Sequence, residues 1–404
     1  MKDFGTLIVR GGVNVQPGQL VIINSPIECA VYARDIMKAA YEAGAGDCLI
    51  QWKDEESARI RYDYASCDAL SVIPEWMTES RMYYARNGAC FITIASEDPD
   101  IFAGVDPMKI RTHALAANKA YGEYWNVITQ NQCTWCVVSA PNPAWACKMF
   151  PNVSKEQALT QLEEAIEKTM RLDREDPVAA LSENNRLIAQ RAARLNALQF
   201  KTLRYRNQIG TDFTVDLPEN HIWQGGAEPA QNGVIFTANI PTEEIYTAPD
   251  YRTANGTLVS AMPLCHQGRL VEHFTLTFKD GVLTDYTAES GREVLENIFS
   301  ADPGAARLGE VALVEKCSPI AQMNLLFYNT LFDENASCHF AVGSAYPSCI
   351  EGGLGLSDEA LLEKGVNCSD EHVDFMIGTA DLEITGILPD GRELPIFVQG
   401  NFCL

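Results

Sequence analysis

Basic residues are scarce in this chain. Its 31 lysines and arginines stand against 54 aspartates and glutamates, which leaves a formal net charge of −23. Binding along a phosphate backbone needs Lys and Arg in clusters. None is visible, so nucleic acid is excluded as a partner. The acidity favours solubility, and it suits a site that attracts cations, whether metal ions or a substrate ammonium. Long apolar runs are missing as well. No stretch approaches the ~18 consecutive apolar residues of a membrane span, and no membrane partner is expected. The opening Met1-Lys2-Asp3-Phe4-Gly5 lacks the basic region and apolar run of a secretory signal, which places the expected location in the cytoplasm.

Nothing suggests a disulfide framework. The 13 cysteines are odd in number and spread from Cys29 to Cys403, as in a large intracellular chain whose thiols stay reduced and act as small buried hydrophobes. The one close pair is Cys133-Thr134-Trp135-Cys136. A redox pair needs its first Cys at a helix N-terminus. Here the flank Val137-Val138 is strand-like, and no second CxxC completes a zinc site. The glycines of Gly44-Ala45-Gly46 follow a helical pattern rather than a strand, so they read as a helix stop and not as a phosphate cradle. There is no internal repeat and no low-complexity tract.

What is present is two textures in one chain of 404 residues, too long for a single ordinary core. In the first ~175 residues, apolar runs alternate with helical spacing. Leu20–Asn24, Cys48–Trp52, Cys90–Ile94 and Cys136–Ala140 read as strands. Glu28–Glu42 and Pro107–Tyr121 read as helices. That alternation predicts a parallel α/β sheet. A long helix from Lys155 to about Leu172 ends at the charged, Pro-containing patch Asp173–Pro177, where a domain boundary is placed. A second long helix, Val178 to about Phe200, opens the next domain. Beyond it short alternating strands dominate: Leu203–Asn207, Gly233–Thr237 and Leu270–Phe278. The hairpin signals Lys279-Asp280-Gly281 and Pro389-Asp390-Gly391-Arg392 fit the same texture. The expected fold class is therefore α/β plus α+β, with an N-terminal parallel-sheet domain at 1–176 and a β-rich α+β domain at 177–404.

Only six histidines occur: His113, His221, His266, His273, His339 and His372, so a site that needs imidazole has few candidates. His372-Val373-Asp374 places an imidazole and a carboxylate at i and i+2 of an apparent strand, where both point to one face. Converging N and O donors are what divalent ions require. Asp381 and Glu383 repeat that spacing downstream. Glu243 and Glu244 are adjacent acids at a strand end. They repel each other unless a cation or a shared proton intervenes, and one could bind metal while the other acts as a general base. Glu310 precedes the apolar run Val311–Val314, where a carboxylate without a partner is costly. Against these stand blander readings: paired acids are mostly solvated surface, and a lone His such as His339 is more often structural than a ligand. His273 alternates with Thr275 and Thr277 and reads as the polar face of a strand. His113 has no acidic companion, and nothing assigns His221 or His266 a role.

The same segments carry a resemblance. Asn239–Asp250, Arg307–Val314, Asn335–Tyr346 and His372–Gly378 resemble, in order, the four ligand segments of the thermophilic-type metalloaminopeptidases, the family of aminopeptidases T and S and of PepS. Gly12–Gln19 and Pro143-Ala144-Trp145-Ala146 also look like that family, so the likeness runs nearly end to end. It implies a catalytic metal-binding domain at 177–404 and five ligands: Glu244, Glu310, His339, His372 and Asp374, with Glu310 as the bridge between two divalent ions. It implies Glu243 as general base, by analogy with other co-catalytic peptidases, and Tyr346 as the group that stabilises the intermediate. Which of Glu243 and Glu244 is ligand and which is base stays open on the sequence.

With two divalent ions in place, a shared water ionises near pH 7 rather than at ~15.7. Glu243 would take its proton and pass it to the leaving amine, while Tyr346 would donate a hydrogen bond to the developing oxyanion. The donor set suits zinc first, then cobalt or manganese; magnesium fits imidazole poorly. The expected substrates are short peptides with a free N-terminus, and the resemblance implies broad specificity and a homodimer enclosing its active sites in a cavity. Two rivals are kept. A phosphoesterase would use the same donors, but it calls for Arg or Lys beside the phosphate, and the ligand segments offer almost none beyond Arg307. A non-catalytic peptide- or metal-binding protein would have no use for the Glu243 and Tyr346 pair.

Overall fold

In the computed structural model, which describes residues 1–266 and 268–404, the four apolar runs of the first half form parallel strands. They are β1 (Leu20–Pro26), β2 (Asp47–Lys53), β3 (Cys90–Ile94) and β4 (Trp135–Val138). Their order is β2-β1-β3-β4, and the short strand Asn239–Ile240 adds to β4, also in parallel. Strands of such a sheet are covered on both faces, in keeping with the almost wholly buried and mostly apolar β1 and β3. The helix Ala30–Glu42 buries Ala33, Ile36, Ala39 and Ala40, the three-and-four spacing of one helical face. Gly44 follows it at φ +95°, a conformation open to glycine at little cost, in keeping with the expected stop. Cys133 and Cys136 are both buried, and burial pushes the Cys133 thiol up to about 12, far from the thiolate a redox pair needs.

The backbone forms two compact units, residues Met1–Glu183 with Ala227–Pro241, and residues Asn184–Gly226 with Thr242–Leu404. The sequence places one break near residue 176. The units divide inside the helix Pro177–Leu198, and the chain returns once to the first unit through the hairpin Ala227–Pro229/Ile235–Thr237 and the strand at 239–240.

The second unit is built on two antiparallel sheets. The larger has eight strands in the order Val282–Thr287, Thr275–Lys279, Asn255–Val259, Asp212–Asp216, Thr202–Arg206, Glu383–Ile387, Glu393–Val398 and Asn401–Phe402. The smaller has four, in the order Ile245–Thr247, Leu308–Leu313, His339–Gly343 and His372–Met376. Aromatic side chains interlock between them: Phe340 of the smaller sheet lies 5.0 Å from Tyr205 and 5.3 Å from Phe213 of the larger, ring centre to ring centre. This packing buries one face of each sheet. The expected hairpin at Lys279-Asp280-Gly281 is present, with Asp280 at φ +50° and Gly281 at φ +77°, the positive pair that a tight two-residue turn requires. One expectation fails. The run Leu270–Phe278 is not a single strand, because it breaks between Arg269–Val271 and Thr275–Lys279, and His273 sits in the break at φ +47°. Alternation alone cannot reveal a backbone turn between two short strands. No helix among the described residues is long and apolar enough to cross a membrane.

Candidate metal centre

The smaller sheet has one face in the core and one face free to carry chemistry. Phe340, Val342, Val373 and Phe375 point into the core. By the two-residue period of a strand, His339, Ala341, His372 and Asp374 point the other way. Register then sets them side by side: Glu310 lies opposite Ala341, and Ala341 opposite Asp374. The single methyl of Ala341 leaves space between the two carboxylates. A bulge between Leu308 and Glu310 makes this possible, since it keeps Leu308 in the core while turning Glu310 to the opposite face. Gly309 occupies the bulge, where a Cβ would collide with the carbonyl oxygens of Gly343 and Ser344. Tyr246 pairs with Ala312, so Glu244, two residues before it, falls on the same face.

The donors therefore converge. Nε2 of His339 lies 3.2 Å from Glu244 Oε2 and 3.6 Å from Glu310 Oε1. Nε2 of His372 lies 3.6 Å from Glu310 Oε2 and 3.4 Å from Asp374 Oδ1. Two triads result, Glu244/Glu310/His339 and Glu310/His372/Asp374, each with its donor atoms within 4.8 Å of one another. Glu310 belongs to both and offers one oxygen to each. The imidazoles are also held in the tautomer that ligation needs. Nδ1 of His339 meets the Ser337 carbonyl at 3.0 Å, and Nδ1 of His372 meets the Ser344 carbonyl at 2.8 Å. A carbonyl only accepts, so Nδ1 carries the proton in each ring and Nε2 is directed at the carboxylates. Glu244, Glu310, His339 and Asp374 are each at most 9 % exposed, and burying this many charged groups is costly unless cations join them. The residues present thus fit a pair of divalent ions in donor type, count and orientation.

Protons occupy such a cluster when cations do not. Burial lowers the His372 imidazole, but Asp374 and Glu310 outweigh it and raise the pKa to about 10. Burial likewise works against His339, and its contacts with Glu244 and Glu310 carry it well above the usual range. A raised imidazole pKa stabilises the fold fully below the ordinary value of ~6.5, and that contribution is lost as pH rises through about 10. Metal needs the deprotonated ring, so ion uptake at neutral pH must release protons. Calorimetric titration of zinc into chelated protein, in buffers of different ionisation enthalpy, is expected to show release of up to about two protons per chain and tighter binding as pH rises. Heats independent of the buffer would count against this centre.

A further acid was missed in the sequence. Glu334 lies in the short turn Glu334–Ala336. Burial and then the neighbouring charges of Glu244 and Asp374 push its carboxyl well above the usual range, with His339 acting in the opposite direction. Its charge is therefore coupled to the same cluster. Its neighbour Asp333 does other work, accepting the backbone N–H of Phe327 at 2.7 Å and of Asn329 at 3.1 Å. Tyr346 stands at the rim. Its ring lies 5.4 Å from that of His372 and 5.8 Å from that of Tyr246. Close packing around its hydroxyl and the facing carboxylates of Glu310 and Asp374 hold the phenol well above its ordinary pKa, so it is a hydrogen-bond donor at neutral pH. Glu243 is half-buried, and its backbone N–H donates to Asn335 Oδ1 at 2.7 Å. Asp381 and Glu383 are not part of the cluster: Asp381 accepts from the backbone N–H of Gln208 and Glu383 is exposed at the start of its strand. His113 and His221 hydrogen-bond the carbonyls of Leu70 and Pro218, and His266 ends a small hairpin strand.

Two groups of donors that share a carboxylate on one face of a sheet are suited to hold divalent metal. The chain as a whole narrows this further. It matches the family described as thermophilic metalloprotease (M29) over residues 1–402. It is 45% identical over 403 residues to aminopeptidase 2 of Geobacillus stearothermophilus, spanning 100% of this chain and 97% of that protein. It is 42% identical over 403 residues to aminopeptidase AmpS of Bacillus subtilis (strain 168), spanning 100% and 98%. Among solved structures, wild-type AmpT from Thermus thermophilus superposes with a TM-score of 0.93 at 36% identity, covering 99% of this chain and 98% of that one. The chain belongs to the thermophilic metalloprotease (M29) family.

Proposed function

We propose that this protein is an aminopeptidase that releases N-terminal residues from short peptides with the help of two divalent ions. The carrying observation is that Glu310 joins the two donor triads. Glu244, Glu310 and His339 would hold one ion, and Glu310, His372 and Asp374 the other, with Glu334 at hand as an additional donor. When bound, such ions lower the pKa of a shared water to about 7 and polarise the scissile carbonyl. Glu243 accepts the proton of the attacking water and delivers it to the leaving amine. Tyr346 keeps its proton and donates a hydrogen bond to the oxygen that becomes negative in the transition state. The surplus of carboxylates around the site attracts the substrate's α-ammonium, which would restrict cleavage to the first peptide bond. Zinc is the first choice of ion, with cobalt, manganese or magnesium as the others to test.

The rival phosphoesterase reading loses its cation. Arg307 donates to the carbonyls of Tyr251 and Gly281 and lies over the Tyr251 ring, engaged away from the donor atoms. We place catalysis in residues 177–404, with 1–176 as an accompanying α/β domain, and the protein in the cytoplasm. A homodimer is part of the same reading. It rests on the likeness to the family.

The test is release of the first residue from aminoacyl chromogenic substrates and short peptides, before chelation, after it, and after adding back each ion. Activity is expected to vanish on chelation and return with metal, in a particle of about twice the chain mass of 44.5 kDa. Internal cleavage, or phosphate-ester cleavage in place of aminopeptidase activity, would discard the proposal.

A further inference from the structure

Asn335 is fully buried, and its amide is used at both ends. Oδ1 accepts the backbone N–H of Glu243 at 2.7 Å. Nδ2 donates to the Leu331 carbonyl at 2.9 Å and reaches Glu334 Oε1 at 3.4 Å. One residue before Glu243, the Thr242 carbonyl accepts from Asn184 Nδ2 at 2.8 Å. The peptide joining Thr242 to Glu243 is therefore clamped by side-chain amides from two other segments, the helix Pro177–Leu198 and the turn Glu334–Ala336.

We propose that Asn335 is a positioning residue for Glu243. The proposal rests on the reading of Glu243 as the general base. Adjacent residues on an extended chain project in different directions, and Glu244 already faces the donor cluster. The Glu243 carboxylate can reach the attacking water only if the peptide plane before it is fixed. A buried backbone N–H must find an acceptor, and Asn335 Oδ1 supplies one from the turn that also carries Glu334. A proton acceptor is effective only when held within about 0.5 Å and 10–20° of its working position. Asn335 touches no reacting atom; it acts through Glu243.

Two variants and a double variant test this, assayed with saturating metal. Asn335→Ala is expected to lower kcat about 10- to 100-fold, with KM changed less than about threefold and bound metal as in the parent. Asn335→Asp keeps an oxygen for the Glu243 N–H but sets a carboxylate against the Leu331 carbonyl and Glu334 Oε1, so it is expected to recover only part of that loss. The decisive measurement is the pair Asn335→Ala with Glu243→Gln. If the amide works through Glu243, the residual rate of Glu243→Gln falls no further when Asn335 is also replaced. Additive losses, or a loss that follows metal content, would overturn the proposal and leave Asn335 a structural residue. A metal-loaded parent without aminopeptidase activity would instead overturn the function on which the proposal rests.

Discussion

Replacing Glu310 by alanine is expected to lower kcat/KM by at least ~10³-fold, a loss of about 4 kcal/mol in transition-state stabilisation, and to strip the protein of metal. The reason is its place in the cluster. Glu244 and His339 contribute to one triad and His372 and Asp374 to the other, but Glu310 gives Oε1 to the first and Oε2 to the second. Every other single substitution leaves one triad whole. Glu310 also sits beside a bulge in the middle of a fully buried strand, which fixes the backbone that carries it. Metal content after dialysis should fall towards zero in Glu310→Ala, and to about half in Asp374→Asn or His372→Ala. Unfolding curves separate loss of metal from loss of fold: the parent should gain stability when zinc is added, because the ion binds only the folded state, and Glu310→Ala should gain little. An alanine variant that keeps both ions and its activity would remove Glu310 from the centre altogether.

Strand periodicity made most of this site legible in the sequence. The i, i+2 spacing of His372 and Asp374 predicts one face of a strand, and they share one. Glu310 before an apolar run predicts a carboxylate held at a buried strand, which it is. His339 was the ambiguous member, because a lone imidazole in an apolar segment reads equally as core. What brings it beside Glu310 is the neighbouring strand, which places Glu310 opposite Ala341, and such pairing is invisible in a single segment. Glu334 escaped for a different reason. It lies in a three-residue turn, where no period marks a face, and its relation to Glu244 is formed only on folding. The acidic run Asp333-Glu334, five residues before a candidate ligand histidine, was the one signal available. In the fold, β1 to β4 follow from their apolar runs, whereas the return of residues 227–241 to the first unit depends on a strand of two residues pairing with β4. A segment that short carries no pattern of its own.

Glu243→Gln is expected to lower kcat by about 10²–10⁴-fold while leaving metal content and KM close to those of the parent, and Glu244→Gln is expected to do the reverse in kind, losing activity together with an ion. The two acids are neighbours in sequence but differ in surroundings. Glu244 is 8 % exposed and its carboxylate lies 3.2 Å from His339 Nε2, on the face where Tyr246 and Ala312 pair. Removing its charge unbalances a buried cluster and weakens one triad. Glu243 is half-buried and its backbone is anchored to Asn335, so glutamine can occupy its place without disturbing a donor atom. Glutamine cannot take up a proton, which removes the step from water to leaving amine and leaves ground-state binding intact. The measurements are metal content by elemental analysis and the split between kcat and KM. If Glu243→Gln loses an ion and Glu244→Gln does not, the two acids exchange roles. If neither loses metal and only one loses kcat, that one is the base and the other is held at the cluster for its charge.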